Sequence, residues 1–271
     1  MLLDRVTLPP LVSLFSSTSS APLLLASTNT APNTPESFIS LLEDATDSKE
    51  TLVAWQPSGP DDLATRVASL AKQRQHPQAS SSTVIPKDLQ DQVLHLQAPD
   101  CRTTSVTWGS LHKGKWREDG LGVELPVMHL QLKDLGQAMF VDVAVADEQG
   151  ELLIVRASTW QNEPKLYPGT PAEPPILHLP LRFPSSSTTT TPLLTAWTTI
   201  SFPLARILQT LDPPRRYKAA TGVRVHATCR LRRIWFSEED MPSEIGPDQL
   251  RRGVLPELAL FAAKGQSLEV Q

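Results

Sequence analysis

The sequence predicts an all-β protein, an antiparallel β-sandwich, and three observations lead there. Short apolar–polar alternations recur from Val84 onward, and clusters of Gly, Pro, Asp and Ser separate them. Only one stretch inside that region carries helical spacing. Many short strands with few helices bury their apolar faces most readily as two packed sheets.

Taken in chain order, residues 31–83 read as an insertion, partly helical and partly disordered. Ala31–Pro35 is a linker, and Glu36–Asp44 reads as a short helix with Phe38, Leu41 and Leu42 on one side. Asp61–Gln75 is a better helix: Pro60 and Asp61 start it, Leu63, Val67 and Leu70 share a face, and Lys72, Arg74 and His76 suit its C-terminus. Gln78–Thr83 returns to low complexity. Residues 1–30 and 84–262 then form a single sandwich domain, with 263–271 as a tail.

Val93–Gln97 and Ser105–Trp108 are expected strands. Val127–Leu132 alternates, Met128, Leu130 and Leu132 facing one way and His129 and Gln131 the other. Met139–Ala146, the turn Asp147–Gly150 and Leu152–Ala157 make a hairpin, Gly150 supplying the positive φ of a tight turn. Ile176–Phe183 and Ala196–Phe202 are further strands, and the Ser/Thr-rich 185–192 between them is a loop. Pro203–Leu211 is the one short internal helix: proline takes its first turn, Leu204, Ile207, Leu208 and Leu211 recur at helical spacing, and Asp212-Pro213-Pro214 stops it. Leu255–Phe261 either pairs as a last strand or lies along the surface.

The run Val223–Ser237 is the most informative. Seven Lys or Arg fall between Pro213 and Ser237 with no Asp or Glu, in a chain whose net charge is −4. Val223, Val225, Ala227, Cys229 and Leu231 share one strand face, and Arg224, His226, Thr228, Arg230 and Arg232 the other. The phase then inverts, because Arg233 falls on the apolar side while Ile234 and Phe236 fall on the polar side. A bulge near Arg232-Arg233 repairs this and splays two guanidiniums outward. Such a row suits docking on an acidic partner. The competing reading is a solvated basic edge strand that blocks sheet-to-sheet aggregation.

Catalytic motifs are not found: no Gly-rich phosphate loop, no metal-spaced Cys/His cluster, no Gly-x-Ser-x-Gly elbow. His95, His129, His178 and His226 stand singly on strands, as surface or packing residues. Asp142 is expected to face solvent, and Cys229 to be a small buried hydrophobe. The expectation is therefore a non-enzyme without cofactor, metal or small-molecule substrate. Leu23-Leu24-Leu25 is too short for a signal region and no apolar run reaches membrane-spanning length, so a soluble intracellular protein with reduced thiols is expected. Count alone allows one disulfide, Cys101–Cys229. Trp197 and Trp235 read as core; Trp116, beside Lys113, Lys115 and Arg117, is the candidate exposed contact aromatic.

With these residues in view, the chain resembles a known family. Val223–Ser237, with His226-Ala227-Thr228-Cys229-Arg230 and Arg232-Arg233 followed by Glu239-Asp240-Met241-Pro242, is similar to the C-terminal signature of the cilia- and flagella-associated protein twenty family. Leu11–Phe15 with Pro22-Leu23, Leu121–Pro126, Val155–Gln161, Pro175–Arg182 and Trp197–Phe202 resemble further blocks in the same order. The resemblance covers residues 11–30 and 84–260. It implies a jelly-roll β-sandwich without enzyme activity, seated in the ciliary or flagellar axoneme at the inner junction of the doublet. The implied partners are tubulin and neighbouring junction proteins.

The candidate partner-binding residues are thus Arg224, His226, Arg230, Arg232, Arg233 and Trp116. The arginines either meet acidic tubulin or brace the chain's own Glu238-Glu239-Asp240 turn. Thr228 departs from the family's usual Asn, keeping a hydroxyl but no amide. Two alternatives stay open. One is a cytoplasmic or nuclear factor using the same basic strand on protein or nucleic acid; the other, from fold analogy alone, is a sugar-binding module.

Overall fold

The structure, a computed structural model, describes residues 10–32, 34–44, 53–54, 89, 92–112, 114–171, 173–183, 196–240 and 255–260. Its strands are β1 (Leu11–Ser16), β2 (Ala26–Asn29), β3 (Phe38–Glu43), β4 (Val53–Ala54), β5 (Gln92–Gln97), β6 (Ser105–Gly109), β7 (Leu111–His112), β8 (Lys115–Trp116), β9 (Val127–Asp134), β10 (Phe140–Asp147), β11 (Leu152–Ser158), β12 (Lys165–Tyr167), β13 (Ile176–Pro180), β14 (Trp197–Pro203), β15 (Tyr217–His226) and β16 (Cys229–Ser237). One seven-stranded sheet runs β14-β9-β16-β5-β3-β4, with β1 also on β16; the other runs β12-β13-β11-β10-β15-β6-β2. Pairing is antiparallel except between β11 and β13. The predicted all-β sandwich is the observed architecture.

Alternation builds the core. Leu94, Leu96, Met128, Leu130, Leu132 and Leu231 of the first sheet face Val106, Trp108, Val141, Val143, Val223 and Val225 of the second, all solvent-free. The predicted helix is α1 (Leu204–Gln209), with Leu204 and Leu208 buried against the core. The predicted hairpin is β10–β11, and Gly150 sits at φ +81°.

Several expectations are corrected. Glu36–Asp44 is not a helix: Phe38–Glu43 is β3, paired along its length with β5, so the segment read as an insertion contributes strands to the first sheet. Ile39 and Leu41 join the main core while Leu42 packs on the opposite face with Val93 and Trp197. A strand buried on both faces shows no alternation, and its spacing then mimics a helix. Asp142, expected at the surface, is buried in a two-point ion pair with Arg156 at 2.7 and 2.8 Å. Trp197 and Trp235 are buried, but on the outer side of the first sheet rather than between the sheets. The helix at Asp61–Gln75, the 185–192 loop, Lys113 and the 263–271 tail lie outside the described residues.

The largest correction concerns Val223–Ser237. It is not one strand. β15 ends at His226 in the second sheet and β16 starts at Cys229 in the first, so the chain crosses the sandwich through Ala227-Thr228. The apolar phase runs unbroken through the corner because both halves point into the shared core. Thr228 fastens this corner to Ala98, accepting from its N–H at 3.3 Å and donating to its carbonyl at 3.2 Å.

Candidate partner-binding site

The predicted basic residues divide between the two outer faces of the sandwich. Arg230, Arg232 and Arg233 belong to the first sheet, while Arg224, His226 and Trp116 lie on the outer side of the second.

On the first sheet the cations are turned inward to the protein's own acceptors. The Asp44 carboxylate is buried at the end of β3. It accepts from Arg230 Nη1 at 2.6 Å, Lys133 Nζ at 3.1 Å, the Leu89 N–H at 2.9 Å and Trp197 Nε1 at 2.6 Å. Burial alone would raise its pKa, but the Lys133 charge and the donors Leu89, Trp197 and Arg230 together hold it below the usual carboxylate value.

The predicted bulge is present. Register slips between Leu231 and Arg233 against β9, leaving Arg232 as the extra residue. Ile234 and Phe236 thereby return to the core, and both arginines point outward. They do not reach solvent, being only 7% and 5% exposed, because the C-terminal segment 255–260 lies over them. Arg232 Nη1 donates to Gln131 Oε1 at 2.6 Å and to the Glu257 carbonyl at 3.1 Å; Arg233 pairs with the Glu257 carboxylate at 3.5 Å. Gln131 donates to the Leu258 carbonyl, and Leu258 and Ala259 cover Trp235. The arginines therefore brace the fold, but against Asp44 and Glu257; the Glu238–Asp240 turn instead has Asp240 facing Arg206 of α1 at 4.0 Å.

On the second sheet Trp116 is not the exposed aromatic expected from its polar neighbours. It is 8% exposed and lies over Gly222, packing with Ala144 and Ile154. The missing Gly222 side chain makes the slot for its ring. The Arg224 guanidinium sits 5.1 Å above that ring and donates through Nε to Thr107 Oγ1 at 3.0 Å. His226 stacks on Phe140 at 3.7 Å and donates through Nδ1 to the Cys101 carbonyl at 3.2 Å. Burial pulls its pKa down to about 4, so it is neutral at physiological pH. The exposed aromatics of this sheet are Trp160 and Tyr167. Both cysteines are free, Cys229 buried and Cys101 partly so.

A family model for the CFA20 domain matches residues 65–252, more than half of the chain. The chain belongs to the CFA20 family. It is 30% identical over 167 residues to a cilia- and flagella-associated protein 20 of Chlamydomonas reinhardtii, covering 58% of this chain and 74% of that protein. The Paramecium tetraurelia protein of the same name is 28% identical over 171 residues, covering 59% and 75% respectively. That of Caenorhabditis briggsae is 24% identical over 132 residues, covering 47% and 57%. This CFA20 protein is thus an all-β member of a cilia- and flagella-associated family.

Sequence reasoning missed Asp44 and Glu257, the two residues that organise the first sheet's cations. One lay in the segment 31–83 read as an insertion and the other in Leu255–Phe261. The available signal was indirect: a cationic run without local acids requires counter-charges from distant chain once it is buried.

Proposed function

We propose that this protein is a non-catalytic structural component of the ciliary or flagellar axoneme, binding tubulin and neighbouring proteins at the doublet inner junction. The observation that carries this reading is the CFA20 match over residues 65–252. The disposition of the reactive side chains agrees with a scaffold. His129 is held between Ser201 and Ser237 at 2.8 and 2.7 Å, His178 bonds Ser158 at 2.7 Å, and His226 is stacked on Phe140. Among the described residues no group of His, Cys, Asp and Glu could hold a metal. Arg230, Arg232 and Arg233, the residues expected to meet either tubulin or nucleic acid, are engaged within the protein, so the proposed tubulin contact uses other residues.

Co-sedimentation of the purified chain with stabilised microtubules, at low and physiological salt, tests the reading. Saturable pelleting at physiological salt is expected. Pelleting at neither salt overturns the direct tubulin contact.

A further inference from the structure

The basic row sought along one strand exists across the second sheet instead. Lys165 of β12 pairs with His178 of β13, which pairs with Arg156 of β11, which pairs with Asp142 of β10, which pairs with Arg224 of β15. The register continues to Thr107 and Ser27 at the far edge. Their chain neighbours Val141, Val143, Val155, Val223 and Val225 point into the core, so the row faces outward. Three cations thus stand in line with a single carboxylate, and that one is buried at 2% exposure.

The cations retain binding capacity. Asp142 occupies Nε and Nη2 of Arg156, and Arg224 spends only Nε on Thr107. Arg156 Nη1 and both Nη groups of Arg224 have no hydrogen-bond partner among the described residues and are not sealed from solvent. Lys165 Nζ sits 5.0 Å above the half-exposed Tyr167 ring, with Trp160 exposed nearby against His178. At this end lies an open recess of about 320 Å³, lined by Arg156, Tyr167, Glu173 and His178 among others.

We propose that this transverse row docks an extended acidic peptide, with Lys165, Arg156 and Arg224 taking its carboxylates. Charge complementarity selects the occupant: guanidiniums held flat by an ion pair or a tryptophan present a fork matched to carboxylates. Four inter-strand steps from Lys165 to Arg224 span about 19 Å, the length of roughly six extended residues. The proposal deepens the tubulin reading by naming a surface and a ligand chemistry, and it is tested without microtubules.

The test is fluorescence anisotropy of the full chain with fluorescein-labelled octaglutamate and octaglutamine. Octaglutamate should bind, more weakly as salt rises, and octaglutamine at least about tenfold more weakly. Lys165→Gln/Arg224→Gln should lose about tenfold or more in affinity for octaglutamate with an unchanged circular dichroism spectrum. Lys165→Gln alone, on an exposed side chain, should show part of that loss whatever the double variant does to folding. Arg156→Lys, which keeps the charge beside Asp142 but loses the fork, should also weaken binding. Equal binding of both peptides, or full binding by the folded variants, overturns the proposal. So does tighter binding of oligothymidylate or cellohexaose than of octaglutamate. Octaglutamate binding without microtubule pelleting upholds the row and removes the tubulin contact; the reverse removes the row alone.

Discussion

Asp44→Ala should be among the most damaging single changes in the described structure. The carboxylate is 1% exposed and accepts from two cations, Lys133 and Arg230, and from two N–H groups, Leu89 and Trp197. Removing one partner of a buried ion pair costs about 3–5 kcal/mol, and orphaned buried donors add to this. For a chain of this size about 1 kcal/mol moves the thermal midpoint by roughly 2–4 °C, so a fall of about 10–15 °C is expected. Differential scanning fluorimetry reads it directly. A fall of less than about 3 °C would refute the reasoning, since the cluster would then contribute no more than a surface pair. Asp44→Asn adds a test of sign. The folded pKa lies below the ordinary 3.8, so the stabilisation is complete above that value and drains away as pH falls through the folded one. The Asn variant should therefore show a shallower loss of stability below about pH 4 than the parent.

Arg230→Ala/Arg232→Ala/Arg233→Ala should unfold at a midpoint depressed at least as far as that of Asp44→Ala, because Asp44, Gln131 and Glu257 all lose donors; a near-parental midpoint would return these arginines to the surface. Gly222→Ala places a methyl on the Trp116 ring and should cost about 1–3 kcal/mol, read as a lower denaturation midpoint with altered tryptophan fluorescence. Burial pulls both His129 and His226 down to about 4 from 6.5. Each therefore favours the folded state less as pH falls from 6.5 toward 4, by up to about 3 kcal/mol, with no further loss below that window. Urea midpoints that stay constant from pH 7 to 5 would contradict this.

Strands whose outward positions carry polar residues were legible even where those residues are buried. In β9, Met128, Leu130 and Leu132 alternate with His129 and Gln131, and α1 announced itself through Leu204, Ile207 and Leu208. β3 failed because apolar residues cover both of its faces, which erases the period that separates strand from helix. The bulge at Arg232 was visible as a phase inversion, since only one extra residue restores Ile234 and Phe236 to the core. The corner at Ala227-Thr228 was hidden for the opposite reason. Two strands from facing sheets share one apolar phase, and nothing in the pattern records a change of sheet. Trp116 was misplaced because local polarity describes chain neighbours, whereas its burial comes from Gly222, distant in sequence. The transverse row was unreadable for the same reason: its members are adjacent only through strand register.

The two-residue corner between β15 and β16 also has a mechanical meaning. Only Ala227 and Thr228 separate β15 of one sheet from β16 of the other. The backbone link between the two sheets is therefore short at this end of the sandwich. Force pulling one sheet from the other would be carried by this link as well as by the packed side chains. A body tied in this way resists being prised open from that end.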